Sequence, residues 1–225
     1  MLRSPAVRQG LSVGVATGLY GISFGALATA AGLSVWQACL LSAVMFTGGS
    51  QFAVVGVLAA GGAPVAGFAS ATLLGLRNAV YGLQLAPRLR PRGWRRLLAA
   101  HLTIDESAAV SAAQDDADEA RWGFWAAGLG VFVCWNATTL GGAVLGDALG
   151  DPRRWGLDGA AAAAFLALLW PRLRRRETAA VAAAAALVAV LTLPVAPAGV
   201  PVLAAALVAA ALGWWRTRPA RRDAP

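Results

Sequence analysis

Apolar residues follow one another along the chain in eight long stretches, which we number as segments one to eight. They cover residues 10–32, 34–60, 64–86, 97–113, 122–146, 157–170, 179–193 and 199–215. A helix needs ~20 apolar residues to cross a bilayer, whereas transmembrane β-strands would alternate over ~10 residues. The pattern predicts an all-α, polytopic integral membrane protein with about seven (six to eight) transmembrane or re-entrant helices.

Segment two contains the sequence FTGGSQF, in which Gly48 and Gly49 precede Ser50 and Gln51. Glycine destabilises a helix by about 1 kcal/mol relative to alanine, so the pair predicts a broken helix at mid-depth. Such a break must face protein or a cavity, where freed amides can hold a carboxylate and freed carbonyls an ammonium. The alternative interpretation is a tight helix crossing in which Gln51 bonds to a neighbour.

Ionisable residues also lie inside segments three and four. Arg77 is about ten residues away from the basic loop that follows it, and a charge at such depth costs between ~3 and ~15 kcal/mol unless it is paired or hydrated. Tyr81 shares its helix face, and Asp105 and Glu106 offer carboxylate partners or proton carriers. The alternative is that segment four is interfacial and its acids are solvated.

The remaining polar residues in the segments indicate no enzyme and no metal centre. His101 and Asp105 are four residues apart, but two ligands do not make a zinc site. His101 is the single histidine, and no nucleophile is placed beside it. Asn136 and Thr139 lie three residues apart in segment five and are candidate substrate contacts.

Composition and charge agree with a membrane protein: 58% of the residues are hydrophobic, 13% are charged, and the net charge is +8. In a soluble protein this charge would suggest nucleic acid as a partner. Here the arginines flank apolar segments, which indicates topology signals and contact with the lipid bilayer, and no nucleic acid. We expect one membrane domain over 1–225, with its core at 10–215 and flanking termini at 1–9 and 216–225.

The arginine clusters give conflicting orientations. Three segments separate the N-terminus from the cluster at 88–96, and three more separate that cluster from 172–176. Either one segment in each trio does not cross the membrane, or one cluster departs from the positive-inside tendency. The sequence at 85–92, LAPRLRPR, recurs at 169–176 as LWPRLRRR. An inverted repeat of two trios, as in many secondary transporters, would explain both observations.

Six stretches in order carry a resemblance to a known family. They are GLYGISFGALATAAGLS, FTGGSQF, LRNAVYGLQLAPRLR, TIDESAAV, WNATTLGGAVLG and GLDGAAAAAFLALL, over residues 10–190. The chain resembles the AzlC family, the large subunit of branched-chain amino-acid exporters. It departs from the family at Asn78, where the family tends to have a histidine or another polar residue.

The resemblance implies export of leucine, isoleucine and valine, with methionine as a further candidate substrate, across the cytoplasmic membrane of a prokaryote, coupled to the proton gradient. It also implies a small AzlD-type membrane subunit and no cofactor. Arg77 or the amides of residues 48–51 would bind the substrate carboxylate, and Asp105 or Glu106 its ammonium or the coupling proton. The candidate substrate contacts are Phe46, Gly48, Gly49, Ser50, Gln51, Phe52, Arg77, Asn78, Tyr81, Asn136 and Thr139. The alternatives are a transporter or passive channel for another small solute, and a purely structural subunit.

Overall fold

The computed structural model describes residues 4–149, 166, 169–170, 173–197 and 199–217, and in these ranges it contains helices and no strand. The predicted all-α class is therefore confirmed. The helices bounded within these ranges are α1 (Pro5–Gly18), α2 (Gly21–Ala30), α3 (Val35–Val44), α4 (Gly49–Ala59), α5 (Pro64–Leu89), α6 (Arg95–His101), α7 (Asp105–Ala112), α8 (Ala117–Leu149), α9 (Arg176–Thr192) and α10 (Val200–Thr217).

Helix α8 is the centre of the fold and packs against α1, α2, α3, α5 and α7. Its 33 residues extend ~50 Å at 1.5 Å per residue. Segment one forms α1 and α2, which run along α8 at close range because small residues face each other. A Cβ added to Gly14 would lie 2.9 Å from the carbonyl carbon of Gly130. Pro5–Ala30 and Ala117–Leu149 are both long and apolar enough to cross a membrane.

One end of the bundle, which we call the arginine end, collects the starts of α1 and α8 and the end of α5. Ser4 Oγ donates to Glu119 Oε2 at 2.5 Å, and Gln114 Nε2 donates to Gln9 Oε1 at 3.0 Å. Arg88 Nη1, from the last turn of α5, donates to the Gln114 carbonyl at 3.1 Å. The N-terminal helix and the arginines at 88–96 therefore lie at the same end; we call the other end the far end.

Segment two enters the bundle from the far end. Helix α3 follows α2 after a short turn and runs antiparallel to α8. Ser42 Oγ donates to Thr139 Oγ1 at 3.3 Å, and the ring of Phe46 lies 5.0 Å from that of Phe132. Because Phe132 is near the middle of α8, α3 ends at mid-depth.

Helix α4 then returns to the far end. Ser50 lies beside Gly75, whereas Val54, one turn later, lies beside Gly67. Since α5 ends at the arginine end, decreasing numbers along it lead to the far end. Segment two is therefore a re-entrant hairpin made of two half-helices, and the predicted break is confirmed between Val44 and Gly49.

Segment four forms a second re-entrant hairpin, which enters from the arginine end. Helix α6 reaches mid-depth, where Leu102 Cβ lies 3.0 Å from the position of a Cβ on Gly128. Helix α7 turns back, so that Val110 lies beside Gly123, close to the start of α8. The two hairpins thus enter the bundle from opposite ends.

Segment four, residues 97–113, is not one continuous helix. Thr103 and Ile104 are both β-branched, which lowers helix propensity, and the backbone of Ile104 is extended with φ −125° and ψ 173°. Ser107 stabilises the break, since its Oγ accepts from the Ile104 N–H at 3.1 Å and donates to the Leu102 carbonyl at 2.6 Å. His101 and Asp105 consequently lie on different helices and not one turn apart.

A hairpin followed by a long helix occurs twice with opposite direction, as α3–α5 and as α6–α8. These units begin at segments two and four, whereas the predicted repeat began at segments one and four. Most of segment six and part of the echo at 169–176 lie outside the described residues, so the predicted trios and the number of full crossings stay predictions. Helix α10 pairs with α9 and packs on α5 at the far end, where Gly199 contacts Ala66.

Candidate functional site

The tips of the two hairpins meet beside the middle of α5 and enclose a cavity of about 270 Å³. This is slightly below the ~300–1,000 Å³ of pockets for drug-sized ligands, so the cavity suits a small solute. Its lining comes from both tips and from α1, α5 and α8: Thr17, Tyr20, Phe46, Thr47, Gly48, Gly49, Phe52, Arg77, Ile104, Asp105, Glu106, Val131 and Trp135.

Arg77 connects the two hairpin tips. Its Nη2 donates to the Thr47 carbonyl at 3.1 Å and forms an ion pair with Asp105 Oδ2 at 2.9 Å. The Arg77 and Asp105 side chains are 27% and 37% exposed, so the pair is partly open to the cavity. Arg77 Nε and Asp105 Oδ1 are buried and have no hydrogen-bond partner among the described residues. Because both side chains are partly exposed, a ligand in the cavity can reach their charged groups.

Gly49 allows the guanidinium to approach the first turn of α4. A Cβ at this position would lie 3.3 Å from both Nη1 and Nη2 of Arg77, which is tighter than most contacts. The start of a helix carries a partial positive charge, and here it adjoins a cation. The helix start and the guanidinium together favour the binding of an anion at this end of the cavity.

Gln51 holds the break in segment two together instead of lining the cavity. It is fully buried; its Oε1 accepts from the Gly48 N–H at 3.1 Å, and its Nε2 donates to the Ser42 carbonyl at 3.2 Å. Gly48 has φ +64°, a conformation that favours glycine. Ser50 is also buried, behind the cavity, and its hydroxyl has no partner among the described residues.

The other end of the cavity is apolar. Phe46, Phe52, Ile104, Val131 and Trp135 are each at least 95% buried and form its wall. The rings of Phe52 and Trp135 pack edge to face, 6.1 Å apart. Trp135 Nε1 is a buried donor without a partner in the described residues. A solute with a charged head and an aliphatic tail matches this division.

Besides Ser50 and Gln51, four predicted contacts do not line the cavity. Tyr81 lies in a separate groove nearer the arginine end, and Asn136 Nδ2 donates to its own helix at the Phe132 carbonyl, at 2.8 Å. Thr139 is fully buried against α3, and Asn78 is half-buried outside the cavity lining.

Both candidate proton carriers, Asp105 and Glu106, do line the cavity. Glu106 forms no ion pair within the described part of the chain. His101 lies behind the wall, with its ring 5.8 Å from that of Phe46 and 5.6 Å from that of Phe132. Among the described residues no group of three histidine, cysteine, aspartate or glutamate side chains is placed to hold a metal ion.

The sequence-based predictions missed several residues of the cavity. They are Thr17, Tyr20, Thr47, Ile104, Val131 and Trp135. Most are apolar residues in apolar segments, where side chains that face a cavity and side chains that face lipid look alike. Trp135 alone carried a usable signal, since it lies mid-segment and tryptophans of membrane proteins concentrate near segment ends.

Among known protein families, the one described as AzlC protein matches residues 12–149, which is more than half of the chain. The chain belongs to the AzlC family. The match ends with the last residue of α8, so it includes both hairpins and the whole cavity, while α9 and α10 lie beyond it. The AzlC family is associated with membrane transport, not with enzymatic catalysis, and the apolar helices agree with a membrane-integral protein. Comparison with curated proteins and with solved structures gives no match.

Proposed function

We propose that this AzlC protein is the large subunit of a secondary transporter that exports leucine, isoleucine, valine and methionine across the cytoplasmic membrane. The observation that carries the proposal is the cavity between the two hairpin tips, with the Arg77–Asp105 ion pair at one end and an apolar wall at the other. A small AzlD-type membrane protein is the proposed second subunit, as the family resemblance implies.

An amino acid can replace both partners of the ion pair at once. Its carboxylate would pair with Arg77, beside the start of α4, and its ammonium would pair with Asp105. No charge would be left alone, which matters because an unpaired buried charge costs several kcal/mol. An oxo acid or a simple amine would satisfy one partner only, so the site selects for zwitterions.

The apolar wall would select for aliphatic side chains. Each methylene buried contributes about 0.8 kcal/mol, so leucine would gain roughly 2 kcal/mol over alanine. Phe46 and Phe52 from one hairpin, Ile104 from the other, and Val131 and Trp135 from α8 would enclose the side chain.

Glu106 is the proposed carrier of the coupling proton, with Asp105 as the second candidate. Carboxylates inside membranes commonly serve as proton relays, and Glu106 lies in the cavity without an ion-pair partner among the described residues. Because the two hairpins enter from opposite ends, each would form the barrier on one side of the site. Alternating access would open one hairpin while the other stays closed.

Efflux of labelled valine tests the proposal in cells that express this chain together with the small membrane protein. We expect wild type to export valine faster than cells without the transporter. Arg77→Ala should reduce the export at least tenfold. Arg77→Lys should restore it only in part, because the shorter lysine lacks the planar guanidinium whose Nη2 contacts both Thr47 and Asp105. Equal abundance in the membrane must be shown for each variant.

Arg92→Ala is the matched control, since Arg92 is exposed and lies outside the cavity. If the Arg77→Ala variant exports valine as fast as wild type, Arg77 is not part of the transport mechanism. Wild-type cells that move no valine above background would contradict the substrate assignment itself.

A further inference from the structure

A second groove, distinct from the cavity between the hairpins, lies at the arginine end where α6 and α8 begin. Its volume is about 630 Å³. It is lined by three indoles and three charged side chains: Trp94, Arg95, Leu98, Asp118, Arg121, Trp122 and Trp125. No step of the proposed transport mechanism uses this groove.

The charges in the groove leave one cation available. Arg121 Nη1 donates to Asp118 Oδ1 at 2.7 Å, and its Nε donates to the Arg88 carbonyl at 3.0 Å. Arg95 is exposed and forms no hydrogen bond or ion pair with any described residue. With two arginines and one aspartate, the groove has a net charge of +1, which complements a ligand of charge −1.

The groove continues into an apolar stripe on the surface of α8. Trp122, Trp125, Leu129 and Val133 follow one another at intervals of three or four residues, so they share one helix face. Leu129 and Val133 are 45% and 63% exposed. A free phosphate would leave this stripe uncovered, whereas a hydrocarbon chain would cover it.

We propose that the groove binds an anionic membrane phospholipid with one net negative charge. Arg95 and the free N–H groups of Arg121 hold its phosphate. The three indoles surround the glycerol region, as tryptophans do at membrane interfaces. The acyl chains lie along the stripe from Trp125 to Val133. The site would fix the position of the α6–α7 hairpin, whose first helix forms one of its walls.

Native mass spectrometry of the delipidated full-length protein tests this site. Phosphatidylglycerol and phosphatidylcholine with identical chains are the probes. We expect phosphatidylglycerol to bind more tightly than phosphatidylcholine, and Arg95→Gln to weaken it about fivefold, as one arginine near a charged headgroup contributes. Arg92 is an exposed arginine three residues before Arg95 and lies outside the groove, so Arg92→Gln should change the affinity for neither lipid. Both positions are on the surface, so both variants should fold, which a thermal melt checks.

Two further measurements distinguish a lipid phosphate from a free phosphate as the ligand. Phosphatidylglycerol with short chains should bind more weakly than the long-chain form, and inorganic phosphate should not displace the long-chain lipid. Displacement by inorganic phosphate would assign the groove to a soluble anion and overturn the lipid assignment. Equal losses in Arg95→Gln and Arg92→Gln, or equal affinity for the two headgroups, would show diffuse charge attraction and no site.

Discussion

Adjacent residues in the first turn of α4 are equally buried and have opposite roles. Gln51 and Ser50 are 0% and 1% exposed. The amide of Gln51 bonds on both sides of the helix break, to Gly48 and Ser42, while the Ser50 hydroxyl has no partner among the described residues. A buried polar group contributes to stability only when it is hydrogen-bonded, so these neighbours should respond differently to the loss of their polar atoms.

Gln51→Leu should therefore destabilise the protein, because it leaves the Gly48 N–H and the Ser42 carbonyl without the partners they have now. Each buried group left unpaired costs about 1–3 kcal/mol. Ser50→Ala is the matched control and should be neutral or slightly stabilising. Thermal unfolding in detergent measures both, and equal shifts in the two variants would contradict the role assigned to Gln51.

Two glycines of α4 provide a similar contrast for transport. In Gly49→Ala the new Cβ would press on the guanidinium of Arg77, at 3.3 Å. We expect valine export to fall severalfold with little loss of stability, because the alanine itself suits a helix. Gly56→Ala, where a Cβ would meet nothing within 4 Å, should export normally. Export that is equal in the two variants would show that the position of the guanidinium is not critical.

Among the helices, the breaks in segments two and four differ in how well the sequence predicts them. Segment two has Gly48 and Gly49, which weaken a helix wherever they occur together, so its break was predicted. Segment four has no glycine or proline between residues 97 and 113. Its break depends on β-branched Thr103 and Ile104 and on the Ser107 hydroxyl, which bonds only once the chain has turned. Tertiary packing, not local propensity, decides this case.

The start of α8 is set by Asp116, whose Oδ1 accepts from the N–H groups of Glu119 and Asp118, each at 2.9 Å. These bonds lower the pKa of the Asp116 carboxyl below its ordinary value. A lowered pKa means that the ionised form stabilises the folded state above the ordinary pKa, and that this contribution is lost as the pH falls.

Asp116→Ala should thus be less stable than wild type at neutral pH. The difference should shrink as the pH falls below about 3.9, the ordinary aspartate pKa at which the unfolded chain takes up a proton, and should disappear below the lower pKa of the folded state. Thermal unfolding across this range measures the difference. Asp115→Ala is the control, since Asp115 makes no hydrogen bond to α8 in the described residues, and it should match wild type throughout. A constant difference for Asp116→Ala would contradict the charge-dependent cap.

For the whole molecule, the hairpins resolve part of the conflict between the membrane orientations that the arginine clusters indicate. Segment two returns to the far end, from which it entered. Only segment one and α5 therefore run from one end to the other between the N-terminal residues and residues 88–96, so these two regions lie at the same end. The positive-inside tendency predicts that this arginine end faces the cytoplasm. We therefore expect cysteines at Ser34 and Ala63 to be labelled from the outside, and a cysteine at Arg92 from the inside.

A membrane-impermeant thiol reagent, applied to a variant without Cys39 and Cys134, measures this. A segment two that crosses fully would put positions 34 and 63 on opposite sides, so only one of them would react from outside. That outcome would contradict the re-entrant hairpin. Labelling at position 92 serves as the internal control for membrane integrity.

The sequence predicted the class of the molecule and the charged end of its cavity better than the apolar end. Arg77 and Asp105 are conspicuous in the sequence because a charged side chain inside a membrane is costly unless it is paired or hydrated. Val131 and Ile104 do not stand out, since their neighbours are equally apolar and only the fold decides which of them faces the cavity. The opposed directions of the hairpins also depend on contacts far apart in the chain, such as Phe46 with Phe132.

The pairing of Arg77 with Asp105 has an electrical consequence. The two fixed charges cancel, and a zwitterionic amino acid that enters between them adds no net charge. In the proposed mechanism the proton carried by Glu106 would then be the charge that moves through the membrane field. Export should consequently respond to the membrane potential as one elementary charge does, by about 2.3 kcal/mol per 100 mV of driving force, whichever branched-chain amino acid is carried.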